Sequence, residues 1–132
     1  MARRRKFWGW GYEDEPIRKD QKELFAAMAH GRFPDLKLED LPEPRIEDID
    51  LRLGRVRAPE SLAHLFSADR YDRAAHTYGK STRDIIRGAE GDFAEPPDLV
   101  AHPASEADVV AILEWAVDAG VAAVPYGGGT SV

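Results

Sequence analysis

The clearest periodicity lies towards the end of the chain, where Val109, Ile112, Leu113 and Ala116 recur at i, i+3, i+4 and i+7 among acidic and small residues. Ser105 stands ahead of this stripe as an N-cap, Glu106 and Asp108 put acid into the first turn, and Gly120 follows the last turn. Together they predict a helix over 105–120. Short apolar runs flank it. Pro97-Asp98-Leu99-Val100-Ala101-His102-Pro103 reads as a brief strand, and Val121-Ala122-Ala123-Val124-Pro125 as a second. The second runs directly into Tyr126-Gly127-Gly128-Gly129-Thr130-Ser131-Val132, so the predicted unit is strand, helix, strand, glycine loop.

Upstream the pattern is more broken. Ile17, Leu24, Phe25 and Met28 recur at helical spacing between Pro16 and Gly31, which predicts an amphipathic helix over about 16–30 with Gly31 as its stop. From Phe33 to Pro59, prolines at 34, 42, 44 and 59 alternate with charge, and Ile46, Ile49, Leu51, Leu53 and Val56 fit no single period. An extended connector is expected there. Pro59 opens a short helix through Leu62, Leu65 and Phe66 that ends near Ser67. Ser81-Thr82-Arg83-Asp84 is a capping box with Asp in the acidic place, and it leads into a helix carrying Ile85 and Ile86 that Gly88 or Gly91 closes. The fold class is α+β. A unit of two strands cannot bury both their faces, so the expectation is a truncated chain, the N-terminal piece of a larger protein.

Composition narrows the function classes. Of the 132 residues 43% are hydrophobic and 32% charged, and no apolar run approaches the length of a membrane span. The net charge of -6 argues against a globally basic nucleic-acid binder. The excess acid is local: residues 1–60 carry 13 basic and 13 acidic side chains, whereas 61–132 carry 5 and 11. With no cysteine there is no disulfide framework, thiolate nucleophile or Cys-ligated metal. The basic start, Arg3-Arg4-Arg5-Lys6, gives way to Glu13, Asp14 and Glu15 without an apolar stretch between, so no secretory signal is visible and a cytoplasmic location is the default.

Candidate chemistry centres on the glycine loop. Three consecutive glycines allow positive φ and close backbone approach, so that successive N–H groups converge on an anion. Thr130 and Ser131 add hydroxyls, and diphosphate is the ligand this set of neutral donors suits best. The loop has no lysine for a Walker A motif, and Val132 stands where the dinucleotide fingerprint would need its third glycine. A plain structural turn remains the alternative. His30, His64, His76 and His102 show no metal-ligand spacing, and no metal is expected. His76, beside Tyr78, reads either as a pocket residue or as a surface or helix-capping histidine. Glu114 and Asp118, four apart on one helix, read as a solvated face ahead of an acid and base pair. Phe7, Trp8, Trp10 and Tyr12 among the arginines would suit stacking on single-stranded nucleic acid. Anchoring of the arm to the protein's own surface is the favoured reading, because the acids that follow would repel phosphate.

Two stretches carry a family resemblance. Pro97-Asp98-Leu99-Val100, Glu106-Ala107-Asp108-Val109-Val110 and Val124-Pro125-Tyr126-Gly127-Gly128-Gly129-Thr130-Ser131-Val132 resemble the opening of the FAD-binding domain of the vanillyl-alcohol oxidase and p-cresol methylhydroxylase (PCMH-type) flavoproteins. The arm Trp8-Gly9-Trp10-Gly11-Tyr12, and the stretch from Asp69-Arg70 through Arg73-Ala74-Ala75-His76, Gly79 and Asp84, are similar to the alkyldihydroxyacetonephosphate synthase branch of that family and its bacterial relatives. Residues 32–60 stay unmatched.

The resemblance implies a PCMH-type domain beginning at 95–132, preceded by an N-terminal region over 1–94. It implies an FAD cofactor whose diphosphate is held by Tyr126, Gly127, Gly128, Gly129, Thr130 and Ser131. No His or Cys occurs from Val124 to Val132, so this loop offers no covalent tether and non-covalent FAD is expected. The implied activity belongs to a full-length flavoenzyme. It is either oxidation of a hydroxylated substrate or exchange of acyl for alkyl on a glycerone phosphate, as in the ether-lipid synthase. A small hydroxylated or lipid-like substrate is the implied partner, nucleic acid is not, and a homodimer is left open. The resemblance assigns no catalytic residue within these positions, since the flavin-facing segments would follow residue 132. A non-enzymatic interaction module, with the loop as a turn and the arm docking a partner, is the contrasting reading.

Overall fold

The computed structural model describes residues 3–40 and 42–130, and the expected loop residue Ser131 lies outside the described residues. The chain divides into two compact units, Met1–Lys6 with Trp10–Glu43, and Phe7–Gly9 with Pro44–Val132.

In the first unit the basic arm folds back on itself. Arg5 and Tyr12 form an isolated antiparallel bridge, the Lys6 N–H donates to the Gly11 carbonyl at 3.1 Å, and Gly11 takes φ +89° to make the reversal. Charge follows the same reversal: Arg3 pairs with Asp14 and Glu15, each at 2.7 Å, and Arg4 with Glu13 at 2.5 Å. Helix α1 covers Lys19–Arg32. It starts later than Pro16 because Arg18 is still extended, with its N–H capped by the Gln21 side chain at 3.1 Å. Gly31 is not the stop; it lies inside the helix, which ends at Phe33. The cause is Pro34, whose ring pushes the preceding residue out of the helical region, and Phe33 sits at φ -135°, ψ 82°.

In the second unit the connector supplies core residues. Apart from one 3₁₀ turn at Ile46–Asp48 it is irregular, yet Ile49 and Leu51 are buried with Phe7, Tyr71, Ala74 and Phe93. Phe7 meets Tyr71 edge-on at 5.3 Å and Phe93 at 5.5 Å, an aromatic centre with Trp8 and Tyr78 packed around it. A 3₁₀ turn at Glu60–Leu65 leads into β1, Phe66–Ser67, and then α2, Arg70–Ala75, whose N-cap Asp69 accepts from the Asp72 N–H at 3.1 Å. Helix α3, Thr82–Ala89, opens on the expected box, with Ser81 accepting from the Asp84 N–H and Asp84 accepting from the Ser81 hydroxyl and N–H. It closes before Gly91, φ +75°, while Gly88 lies inside it.

Strand β2 is Val100–Ala101, and it pairs antiparallel with β1, Phe66 opposite Ala101 and Ser67 opposite Val100. Helix α4, Glu106–Ala119, carries the predicted Ser105 box and ends at Gly120 in the left-handed region, φ 64°. It packs on the Glu60–Leu65 turn, and Trp115 meets Phe66 edge-on at 4.9 Å.

The coarse class, mixed helix with a small sheet, stands, but of the two predicted strands only the first is formed. Residues 121–125 form no strand among the described residues, and β2 takes its partner from residues 66–67 instead. Among the described residues no backbone hydrogen bond joins residues 122–125 to another strand, and Val124 is 83% exposed.

Candidate functional site

Residues 76–79 and 124–130 line a cavity of about 420 Å³, so the predicted loop residues Tyr126, Gly127, Gly128, Gly129 and Thr130 come together on one wall. The opposite wall is the end of α2 and the turn after it. Tyr126 joins the two: its hydroxyl lies 3.1 Å from the Tyr78 carbonyl and 3.3 Å from the Ala75 carbonyl, and its ring meets His76 edge-on at 4.6 Å. Burial raises the Tyr126 pKa, with Asp84 adding to the shift, so the phenol keeps the proton it donates. The Lys80 N–H donates to the Gly129 carbonyl at 2.5 Å, a second tie between the walls.

The three glycines are not equivalent. Gly129 takes φ +69°, and a Cβ there would run into the Tyr126 hydroxyl and ring, so its own surroundings demand glycine. Gly127 has neither a positive φ nor any atom within 4 Å of a would-be Cβ, and Gly128 has only Thr130 Cγ2 at 3.7 Å. Nothing in the described chain requires glycine at these two positions. Among the described residues their N–H groups also have no protein acceptor. Two exposed donors on backbone that a side chain would otherwise shield form a surface for a ligand that presses close and accepts hydrogen bonds.

His76 is both things that its sequence context allowed. It is the C-cap of α2, with Nδ1 2.8 Å from the Asp72 carbonyl oxygen, and it lines the cavity. Asp72 Oδ1 stands 3.2 Å from the same nitrogen, while Asp72 Oδ2 meets His102 Nε2 at 2.7 Å. Nothing in the sequence joins Asp72 and His102 to His76, because only α2 and the β1–β2 pairing bring the three together. Arg73, from the matched stretch, turns away from the cavity. It is buried, with Nε donating to the Pro97 carbonyl at 2.7 Å and Nη2 to that of Arg52 at 2.8 Å. Glu114 and Asp118 are exposed on α4, away from the cavity lining. No group of three or more metal-ligating side chains is arranged to hold an ion among the described residues. No described helix is long and apolar enough to cross a membrane.

No protein-family model matches the chain. Curated relatives do. An alkyldihydroxyacetonephosphate synthase of Trypanosoma brucei brucei is 44% identical over 64 residues, 48% of this chain and 10% of that protein. The Caenorhabditis elegans enzyme of the same name is 32% identical over 149 residues, covering 96% of this chain and 25% of its own length. That of Dictyostelium discoideum is 29% identical over 125 residues, 92% and 18% respectively. A solved alkyldihydroxyacetonephosphate synthase structure superposes with a TM-score of 0.71 over 96% of this chain and 28% of its own, at 22% identity, so it shares the fold. The chain thus spans a quarter or less of the length of these curated relatives.

Proposed function

Because the chain is a relative of the alkyldihydroxyacetonephosphate synthases, we propose that it contributes the diphosphate loop of an FAD-linked enzyme of the alkylglycerone-phosphate synthase type. In this reading the FAD-binding domain begins at residue 95. The observation that carries it is the pair Gly127 and Gly128, glycines whose own chain leaves room for a side chain and whose N–H groups have no acceptor among the described residues. A diphosphate laid along the backbone explains both features, and a structural turn explains neither.

The residues then divide the work. The N–H groups of Tyr126, Gly127, Gly128 and Thr130 and the hydroxyls of Thr130 and Ser131 donate to the diphosphate. Gly129 makes the left-handed turn that lets them converge, and the Tyr126 side chain holds the loop against the end of α2. Bound FAD would supply the ring chemistry, with this segment positioning it without a covalent bond. The substrate class is a small hydroxylated or lipid-like molecule. A cytoplasmic location goes with the same reading.

The test is the visible spectrum of the full-length protein before and after acid precipitation, followed by FAD titration of a Gly128→Val variant. Yellow protein that releases its chromophore is the expected result. Gly128→Val should weaken FAD binding tenfold or more, about 1.4 kcal/mol or above, with little change in melting temperature. Colourless protein that takes up no added FAD would overturn the proposal.

A further inference from the structure

The loop itself contributes neutral donors, whereas the ligand proposed for it is doubly anionic. Of the described residues lining the cavity, His76 alone can carry a positive charge. We infer that His76 is a further cofactor-binding residue, whose Nε2 donates to the diphosphate and couples FAD binding to uptake of one proton. The inference rests on the FAD reading above and deepens it.

The tautomer follows from the partners. Nδ1 lies 2.8 Å from the Asp72 carbonyl oxygen, which can only accept, so Nδ1 bears a hydrogen. In the neutral ring Nε2 is then a bare lone pair that repels an anion. After protonation the same atom becomes a charged donor. An anion against Nε2 therefore requires the imidazolium.

Groups from α2, from the segment after β2 and from the loop face the ring. Asp72 on α2 places a carboxylate oxygen 3.2 Å from Nδ1. His102, after β2, shares this carboxylate at 2.7 Å and stands 6.0 Å from His76 between ring centres. Tyr126, from the loop, faces His76 with an uncharged ring. The lining holds no other charged side chain among the described residues. Because Tyr126 ties the loop to the Ala75 and Tyr78 carbonyls, the imidazole and the glycine N–H groups share one local frame.

The sign of the effect is fixed. An anion against Nε2 is held only by the imidazolium, so affinity is greatest at low pH and falls as pH rises. The diphosphate of FAD, esterified at both ends, does not itself titrate near neutrality. FAD and riboflavin affinities of the full-length protein should be measured by calorimetry between about pH 5.5 and 8.5, in buffers of different ionisation enthalpy. The expected result is proton uptake with FAD and a fall in affinity of roughly tenfold across that range. Riboflavin, which lacks the diphosphate, should show neither.

His76→Gln should bind FAD more weakly and with a flat pH profile. FAD binding in the wild type without proton uptake, or a His76→Gln profile that parallels it, overturns this inference and leaves the loop reading standing. The same holds if riboflavin shows the same slope. No FAD binding at any pH removes the loop reading and this inference together.

Discussion

Helices α1 and α4 are both 14 residues long and both carry an apolar stripe, yet they differ in what covers it. In the first unit α1 buries no residue, and Leu24, Phe25 and Met28 are 59%, 65% and 64% exposed. In the second unit α4 buries Ile112 and Ala116 and stacks Trp115 on Phe66, although Val109, Leu113 and Val117 on the same helix stay open. The periodicity is the same kind of signal in both, because 3.6-residue spacing reports only that one face is apolar. What covers the face is a separate, tertiary fact. The first unit is held by capping, backbone reversal, exposed ion pairs worth little each, and one part-buried pair, Lys6 with Glu43 at 2.8 Å. The second is held by an aromatic core, so disturbing it should cost far more.

The largest expected contrast tests this directly. Phe7 is 5% exposed and makes ring contacts to Tyr71 and Phe93, so Phe7→Ala should destabilise by about 3 to 5 kcal/mol in chemical denaturation. Leu24→Ala, on the bare face of α1, should stay within about 0.5 kcal/mol, since Leu and Ala are both good helix formers. Comparable losses at both positions would mean that the face of α1 is covered in solution.

Next in size is a polar tie inside the second unit. Asp98 accepts from Arg52 Nη1 at 2.6 Å and from the Arg55 N–H at 2.8 Å, with its side chain 16% exposed. Burial works to raise its pKa, but the Arg55 N–H and the two guanidinium groups outweigh burial and hold the carboxyl well below the usual range. A depressed folded-state value means stability that is present above the unfolded carboxylate pKa and lost as pH falls through the folded one. Asp98→Asn should therefore cost about 2 to 3 kcal/mol at neutral pH. The gap to the wild type should stay constant down to about pH 4 and narrow below it. A gap that does not narrow in acid would show that the ion pairs contribute nothing to it.

How much of this could be read from the sequence depends on how local the cause is. The boxes at Ser81 and Ser105 and the left-handed Gly120 were legible because a cap is decided within four residues. Pro34 overrode Gly31 as the stop of α1, a competition between two local signals in which the ring clash wins. Ile49 and Leu51 were named but not placed, since irregular backbone gives a core residue no period to announce it. The pairing of Val100–Ala101 with Phe66–Ser67 is set by a long loop closure that no short motif encodes. At the candidate site the glycine loop was visible as letters. Its opposite wall was not: His76, Asp72 and His102 meet through a helix turn and a strand pair, while Arg73, from the same matched stretch as His76, is consumed by backbone carbonyls.

The smallest contrast is also the most specific, because it predicts opposite signs for one substitution in the two units. Glycine inside a helix costs about 0.5 to 1 kcal/mol relative to alanine. Gly31 lies in α1 with nothing within 4 Å of a would-be Cβ, so Gly31→Ala should recover most of that and raise the denaturation midpoint. Gly88 lies in α3, where the same Cβ would sit 2.7 Å from the Trp8 carbonyl oxygen and 3.1 Å from Trp8 Cβ. Both neighbours are backbone or next to it and cannot swing away. Forcing them apart should outweigh the helix propensity gain and leave Gly88→Ala destabilised by about 1 to 2 kcal/mol. If both variants were stabilised, Trp8 would not be seated on α3 in solution.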